Sequence, residues 1–92
     1  MVAEQQAAQM LIGVRERLIR QRTQISNAIR SYAAEFGVVT GKGLAKIGPL
    51  LARMEADATL PVLARTLFRE QGADYAAVEA RIHAAHGLVV DE

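Results

Sequence analysis

Apolar residues in the first third of the chain recur every three, four or seven positions, the spacing that places them on one side of an α-helix. The repeat predicts a single helix over residues 3–36, with Gly37 as its C-terminal cap. The members of this first apolar stripe are Leu11, Val14, Leu18, Ile25, Ile29, Tyr32 and Phe36. We assign Tyr32 and Phe36 to core packing because they continue the stripe.

A second apolar repeat runs through the last third of the chain and predicts a helix over residues 59–86. Its members are Leu60, Ala64, Leu67, Gln71, Val78, Ile82 and Ala85. We expect Thr59 to cap this helix, because a threonine hydroxyl can accept a hydrogen bond from the first free amides. Gly72 favours a kink or a break near the middle of the helix.

Residues 37–58 connect the two long helices and contain one short helix. Its regular part is expected at 49–57, because proline disfavours helix at the residue before it and suits a helix start. A free helix cannot bury an apolar stripe, so each long helix must pack against the other or against a second chain. We therefore predict an all-α fold: a long antiparallel helical hairpin or coiled coil with a short connecting helix.

The composition suits one small helical segment. The chain has 92 residues, 51% of them hydrophobic, but only two Phe and two Tyr, so its core must be built from aliphatic side chains between close helices. It has no cysteine, which excludes disulfides and cysteine metal sites. No segment approaches the roughly 18 consecutive apolar residues of a membrane span. We expect a cytoplasmic protein without a membrane partner.

Five arginines fall within residues 15–30, on the helix that carries the first apolar stripe, and only Glu16 interrupts their positive charge. Arginine donates hydrogen bonds to phosphate oxygens, and Thr, Gln, Asn and Ser between the arginines can donate to phosphates and sugars. An ordinary solvated helix surface is the alternative, but the clustering favours nucleic acid. The candidate nucleic-acid-binding residues are Arg15, Arg17, Arg20, Arg22, Thr23, Asn27 and Arg30.

The sequence contains no recognisable group of catalytic residues or metal ligands. The ten acidic residues are scattered along helices with no strands to gather them around a metal, so we predict no catalytic residue and no cofactor. Glu79, His83 and His86 have spacings of four and three that put them on one side of a helix, as metal ligands can be. No fourth ligand is evident, so we favour an exposed polar strip and predict no metal site.

The run VRERLIRQRTQISNAIR at 14–30, followed by AEFGV at 34–38, resembles the central helical region of DEDD-type bacterial insertion-sequence transposases. The resemblance is strong over residues 4–39 and is limited to the pattern over 59–86. In that family a RuvC-like catalytic domain precedes this region, and a C-terminal domain with a nucleophilic serine follows it. The resemblance implies that the chain is an excised part or a gene remnant of a larger transposase.

For this region the resemblance implies assembly into dimers or higher oligomers, and contact with DNA and with a structured guide ("bridge") RNA in the bacterial cytoplasm. The residues that match are Arg20, Arg22, Asn27 and Arg30, with Arg15 and Arg17 adjoining. The chain itself would carry no catalytic residue. We therefore expect a helical dimerisation and nucleic-acid-binding segment that acts in DNA transposition.

Two other functions fit less well. A pure coiled-coil oligomerisation module would pair the arginines with the acidic last third of a neighbouring helix, since residues 1–36 carry a net charge of +2 and residues 59–92 a net charge of −2. An independent helix-turn-helix DNA reader is disfavoured, because the connection over residues 37–48 is too long and too rich in glycine for the tight turn of that motif.

Overall fold

The first long helix, α1, spans Val2–Glu35 in the computed structural model, which describes residues 2–90. The observed helix lies close to the expected range of 3–36. Alanine, glutamine, arginine and leucine, all good helix formers, fill most of its 34 positions. Their combined propensity explains why α1 continues through Gly13.

The left-handed backbone of Gly37, with φ at 82°, ends α1. The Gly37 amide donates to the Ala34 carbonyl at 2.9 Å, and the Val38 amide donates to the Ala33 carbonyl at 3.1 Å. These two hydrogen bonds form a Schellman motif, which favours glycine because a Cβ is strained at positive φ. The predicted cap at Gly37 is confirmed, and it directs the side chain of Val38 into the core.

The connector contains a 3-10 turn over Leu44–Lys46 and a short helix, α2, over Ile47–Ala56. α2 begins before the expected start at residue 49. Pro49 occupies its third position, inside the first turn, where backbone N–H groups have no acceptor within the helix. The N–H that proline lacks therefore removes no hydrogen bond, and Gly48 does not divide the helix.

The last helix, α3, spans Val62–Val90, and its start differs in detail from the expectation. The hydroxyl of Thr59 donates to the carboxylate of Asp57, and so does the Thr59 amide at 2.9 Å. These hydrogen bonds hold the pKa of Asp57 below its usual value. Thr59 thus fixes the turn before α3 and does not cap the helix. The carbonyl of Pro61 accepts a hydrogen bond from the Arg65 amide at 3.1 Å, so Pro61 occupies the N-cap position of α3.

Gly72 lies inside α3 and does not interrupt it. A Cβ placed on Gly72 would lie 3.3 Å from Cδ1 of Leu51, a residue of α2. Glycine at this position therefore lets α2 approach α3 closely. An ion pair between Arg69 and Glu55, with 3.6 Å between Nε and Oε1, also joins these two helices.

α1 and α3 pack side by side in opposite directions and form a rod of 59 × 19 × 18 Å. The rings of Phe36 and Phe68 lie 6.2 Å apart at one end of the pairing, while Leu18 packs with Ile82 near the other. Residue numbers rise along one helix as they fall along the other. The predicted all-α antiparallel hairpin with a short connecting helix is confirmed.

Two apolar clusters hold the rod together, because each removes side chains of different helices from water. The cluster near the connector joins all three helices and the turns between them, through Ile29, Ala33, Val38, Ile47, Leu50, Leu51, Met54, Leu60 and Phe68. The second cluster lies farther along the hairpin and joins α1 to α3 alone, through Leu18, Val78, Ile82 and Ala85. The three-helix end of the rod therefore has the larger core.

Three side chains that the apolar stripes assign to the core lie partly in solvent. Tyr32, Phe36 and Leu67 are 48%, 43% and 51% exposed. Ala33 and Phe68 take the buried places instead. α2 packs against the hairpin at this level and draws the buried side of both long helices toward itself, which turns Tyr32 and Leu67 outward.

The first turns of α1 extend beyond the packed part of the hairpin. Residues 2–10 are exposed, and Leu11 is the first residue of α1 that packs against the second cluster. This stretch contributes surface and not core. Within residues 2–90, no helix combines the length and the apolar character needed to cross a membrane.

Candidate nucleic-acid interface

The side of α1 that faces away from α3 carries an exposed polar surface, which we call the outer face. At 100° per residue, it lies opposite Leu18 and Ile29, which are buried in the two clusters. The same periodicity that buries one side of α1 leaves hydrogen-bond donors on the other. The outer face consists of Glu16, Arg17, Arg20, Thr23, Gln24, Asn27 and Ser31, all of them exposed.

Arg17 and Arg20 carry the positive charge of the outer face. The ion pairs of the described residues involve Arg22 and Arg69, and neither Arg17 nor Arg20 takes part in one. A guanidinium group presents five N–H donors in a planar fork that matches the oxygens of a phosphate. These two side chains are therefore free to bind an anionic ligand.

Arg22 lies at the edge of α1 that contacts α3. Its Nη1 is 3.3 Å from Oε2 of Glu79, and the two side chains are only 22% and 38% exposed. Partial burial and the neighbouring Glu79 carboxylate raise the pKa of the Tyr75 hydroxyl beside them. Arg22 was predicted as a phosphate donor together with Arg20, but the structure engages it in a contact between helices and separates it from the outer face.

Arg30 and Asn27 share one turn of α1, and Nη2 of Arg30 donates to Oδ1 of Asn27. Nη1 of Arg30 is buried and has no hydrogen-bond partner in the part of the chain that the structure describes. A buried donor without an acceptor is unfavourable. Arg30 borders the outer face, but a ligand could reach this Nη1 only after the side chain of Arg30 moves.

Two hydroxyl groups in this segment donate back to the helix backbone. Thr23 Oγ1 donates to the Ile19 carbonyl at 3.2 Å, and Ser26 Oγ donates to the Thr23 carbonyl at 3.0 Å. Ser26 is buried and faces the packed side of α1. Thr23 is exposed, and its oxygen can still accept a hydrogen bond.

The seven predicted site residues thus fall into two groups. Four of them belong to the outer face: Arg17, Arg20, Thr23 and Asn27. The other three are partly buried: Arg15 and Arg22 lie on the packed side of α1, and Arg30 borders the outer face. All seven residues therefore lie on one helix but on two different sides of it. On the side that faces α3, Arg22 forms an ion pair with Glu79.

The residues with metal-ligand spacing on α3 do not converge. Glu79 faces Arg22, while His83 and His86 are exposed. No group of three His, Cys, Asp or Glu side chains within residues 2–90 is arranged to hold a metal ion. Glu79 therefore serves the contact between α1 and α3.

An apolar groove between the end of α1 and the start of α3 was not predicted from the sequence. Its volume is about 450 Å³, and α2 contributes no residue to it. A signal was present in the sequence, since the start of α3 holds more large apolar residues, Leu63 among them, than one stripe can bury. The groove is lined by Tyr32, Glu35, Phe36, Pro61, Leu63, Ala64, Leu67, Phe68 and Gln71.

The chain is similar to segments of two proteins provisionally named as transposases. It is 54% identical over 80 residues to transposase y4pF/y4sB of Sinorhizobium fredii, and 41% identical over 83 residues to a family 20 transposase of Pseudomonas aeruginosa. Each alignment covers 87% of this chain, but the chain spans only 21% and 25% of the two relatives. No family model and no solved structure matches the chain. The two relatives support the predicted resemblance to insertion-sequence transposases.

Proposed function

We propose that the chain is the helical dimerisation and nucleic-acid-binding segment of an insertion-sequence transposase, and that it contributes no catalytic residue. The two relatives named as transposases support a role in transposition. The observation that carries the nucleic-acid part is the outer face of α1, where Arg17 and Arg20 lie in solvent outside any ion pair of the described residues. By the resemblance to DEDD-type transposases, the ligands are DNA and a structured guide RNA.

The outer face suits the sugar-phosphate backbone better than base edges. Its donors follow one another along a continuous helix of 34 residues, and a helix side without a protruding loop can lie along a strand of phosphates. Packing of the opposite side against α3 holds these donors in fixed positions, which lowers the entropy lost on binding. We therefore propose that the contact positions the nucleic acid and that sequence is read elsewhere.

A pure coiled-coil oligomerisation module is the second candidate. The ion pair between Arg22 and Glu79 favours it, because this pair shows that arginines of α1 can be neutralised by acidic residues of the last helix. In that case, Arg17 and Arg20 would pair with carboxylates of a neighbouring copy. RNA and DNA would then bind weakly or not at all.

Replacement of Arg15, Arg20 and Arg30 by glutamine separates the two candidates. We expect the affinity for an RNA hairpin or a DNA duplex to fall at least about 30-fold at about 0.1 M salt, since up to three phosphate contacts are lost. Arg20 is exposed and Arg15 and Arg30 are only partly buried, so helicity by circular dichroism should stay unchanged. Fluorescence anisotropy of labelled nucleic acid measures the affinity.

The matched control removes the same charge elsewhere, by glutamine at Lys42, Lys46 and Arg53, which take part in no ion pair of the described residues. These residues are exposed and lie away from α1, so the control should bind within about threefold of the unmodified chain. Equal loss in both variants would mean that net charge alone attracts the ligand. A chain that binds neither probe, while the arginine variant loosens the oligomer, would favour the second candidate.

A further inference from the structure

Four side chains of α3 recur at seven-residue intervals along one exposed side of the helix. A seven-residue step returns to nearly the same side of an α-helix, so they form a continuous line, which we call the α3 line. All four are in contact with solvent, although two of them are large leucines. The α3 line consists of Leu67, Asp74, Arg81 and Leu88.

The α3 line is complementary to itself when it is read in the opposite direction. An antiparallel second copy places Leu67 opposite Leu88 of the second copy, and Asp74 opposite Arg81 of the second copy. A twofold axis forms each of these pairs twice. A parallel copy in register would instead place like charges together, which is unfavourable. We propose that a second copy of this chain docks antiparallel on this side of the hairpin.

α1 carries a matching pair of charges on the same side of the rod. Arg17 and Glu35 are both exposed, and their separation of five full helical turns puts them on one side of α1. Glu35 lines the apolar groove together with Leu67, so this side of α1 adjoins the α3 line. In an antiparallel dimer, Arg17 of each copy meets Glu35 of the other.

A single twofold axis serves both helices. The midpoint between Arg17 and Glu35 falls at residue 26, and the midpoint of the α3 line falls between residues 77 and 78. Within one chain, Arg22 lies beside Glu79, which fixes how α1 and α3 are aligned along the rod. In this alignment the two midpoints lie within one helical turn of each other along the rod axis. Two independent sets of charges therefore specify the same axis.

The dimer also gives the apolar groove an occupant. Leu88 of the second copy comes opposite Leu67, beside Tyr32 and Phe36, and covers apolar surface that a single chain leaves in water. α2 contributes nothing to the groove and does not obstruct this side. A side of 59 × 19 Å is large enough for the roughly 800 Å² that each partner of a standard interface buries.

This interface rests on the proposed role of the chain in assembly, and it names the surface and the register. It leaves most of the outer face free, because Arg20, Thr23 and Asn27 point away from the α3 line. Arg17 alone belongs to both surfaces. A chain that dimerises but binds no RNA would refute the nucleic-acid part of the proposed function and leave the interface intact. A chain that binds RNA but stays monomeric would refute the interface and leave the nucleic-acid part of the proposed function intact.

Charge reversal tests the register. Sedimentation equilibrium of the 92-residue chain across the micromolar range should show a monomer–dimer equilibrium. Asp74→Arg and Arg81→Asp should each weaken the dimer at least about tenfold, since each creates two like-charge contacts. The double variant reverses every pair and should restore the dissociation constant to within about threefold.

Lys42→Asp, a charge reversal in the connector outside this interface, is the control and should leave the dimer unchanged. Circular dichroism of each variant checks its folding. If a reversal unfolds the chain, Leu88→Gln replaces it, because that side chain is 66% exposed and its loss should weaken the dimer without unfolding the monomer. A monomeric chain, reversals without effect, or a double variant that fails to restore the dimer would overturn the proposal.

Discussion

The affinity of the chain for an RNA hairpin is expected to fall about 50- to 150-fold as monovalent salt rises from about 50 to about 200 mM. Each phosphate that an arginine neutralises releases condensed counterions, so binding weakens with salt in proportion to the number of contacts. Arg22 is not counted, because Glu79 already neutralises it. The arginines that remain on α1 outside the described ion pairs are Arg15, Arg17, Arg20 and Arg30.

Anisotropy titrations at a series of salt concentrations give the slope of log affinity against log salt. Four contacts predict a slope of about −3 to −4 for the unmodified chain below the concentration at which it dimerises, where Arg17 does not pair with Glu35 of a second copy. The variant with glutamine at Arg15, Arg20 and Arg30 keeps one of these arginines, so its slope should be about −1. Equal slopes for the unmodified chain and the variant, or an affinity that does not depend on salt, would contradict an electrostatic contact through α1.

Truncation of Ile29 should have the largest effect on folding. Its side chain is fully buried between the three helices in the connector cluster. Ile29→Ala leaves a cavity there and should lower the free energy of unfolding by about 2–5 kcal/mol. A chain of 92 residues buries a limited core, so a loss of this size should unfold a large share of the molecules at ambient temperature.

Ile12→Ala is the matched control, since it makes the same substitution in the same helix at a side chain that is 55% exposed. It should change the free energy of unfolding by less than about 1 kcal/mol. Urea denaturation followed by circular dichroism measures both variants. Equal losses in the two variants would show that α1 does not pack through the side that contains Ile29.

The hairpin could be predicted from the sequence because its signals are local. The apolar repeat of α1 continues to Phe36, and the next residue, Gly37, is the type that a Schellman cap favours. Leu18 and Ile29 belong to that repeat, and both are buried. Two stripes without other partners in the chain then pack against each other, which is the fold observed.

The details that could not be predicted depend on α2. A repeat along one helix shows which side is apolar, but not how far a third helix turns that side. Ala33 and Phe68 replaced Tyr32 and Leu67 in the core because α2 packs beside them. Gly72 was expected to weaken α3, and its role is visible only once Leu51 lies against it.

The candidate site was predicted in its residue types and only partly in its geometry. The exposed positions of Arg20 and Asn27 follow from a period of 3.6 residues, since both lie opposite Leu18. The same period places Arg22, four residues after Leu18, on the packed side. Its partner Glu79 lies 57 residues away in the sequence, so the ion pair itself has no local signal.

Arg20 and Arg22 provide the most direct test of the account, because they are the same residue type two positions apart and face opposite sides of α1. Arg20→Gln should weaken binding of an RNA hairpin about five- to tenfold at about 0.1 M salt and leave the melting temperature unchanged. Arg22→Gln should leave the affinity within about twofold and lower the melting temperature, since Glu79 loses its partner. An Arg22→Gln chain that loses as much affinity as the Arg20→Gln chain, or more, would contradict the account.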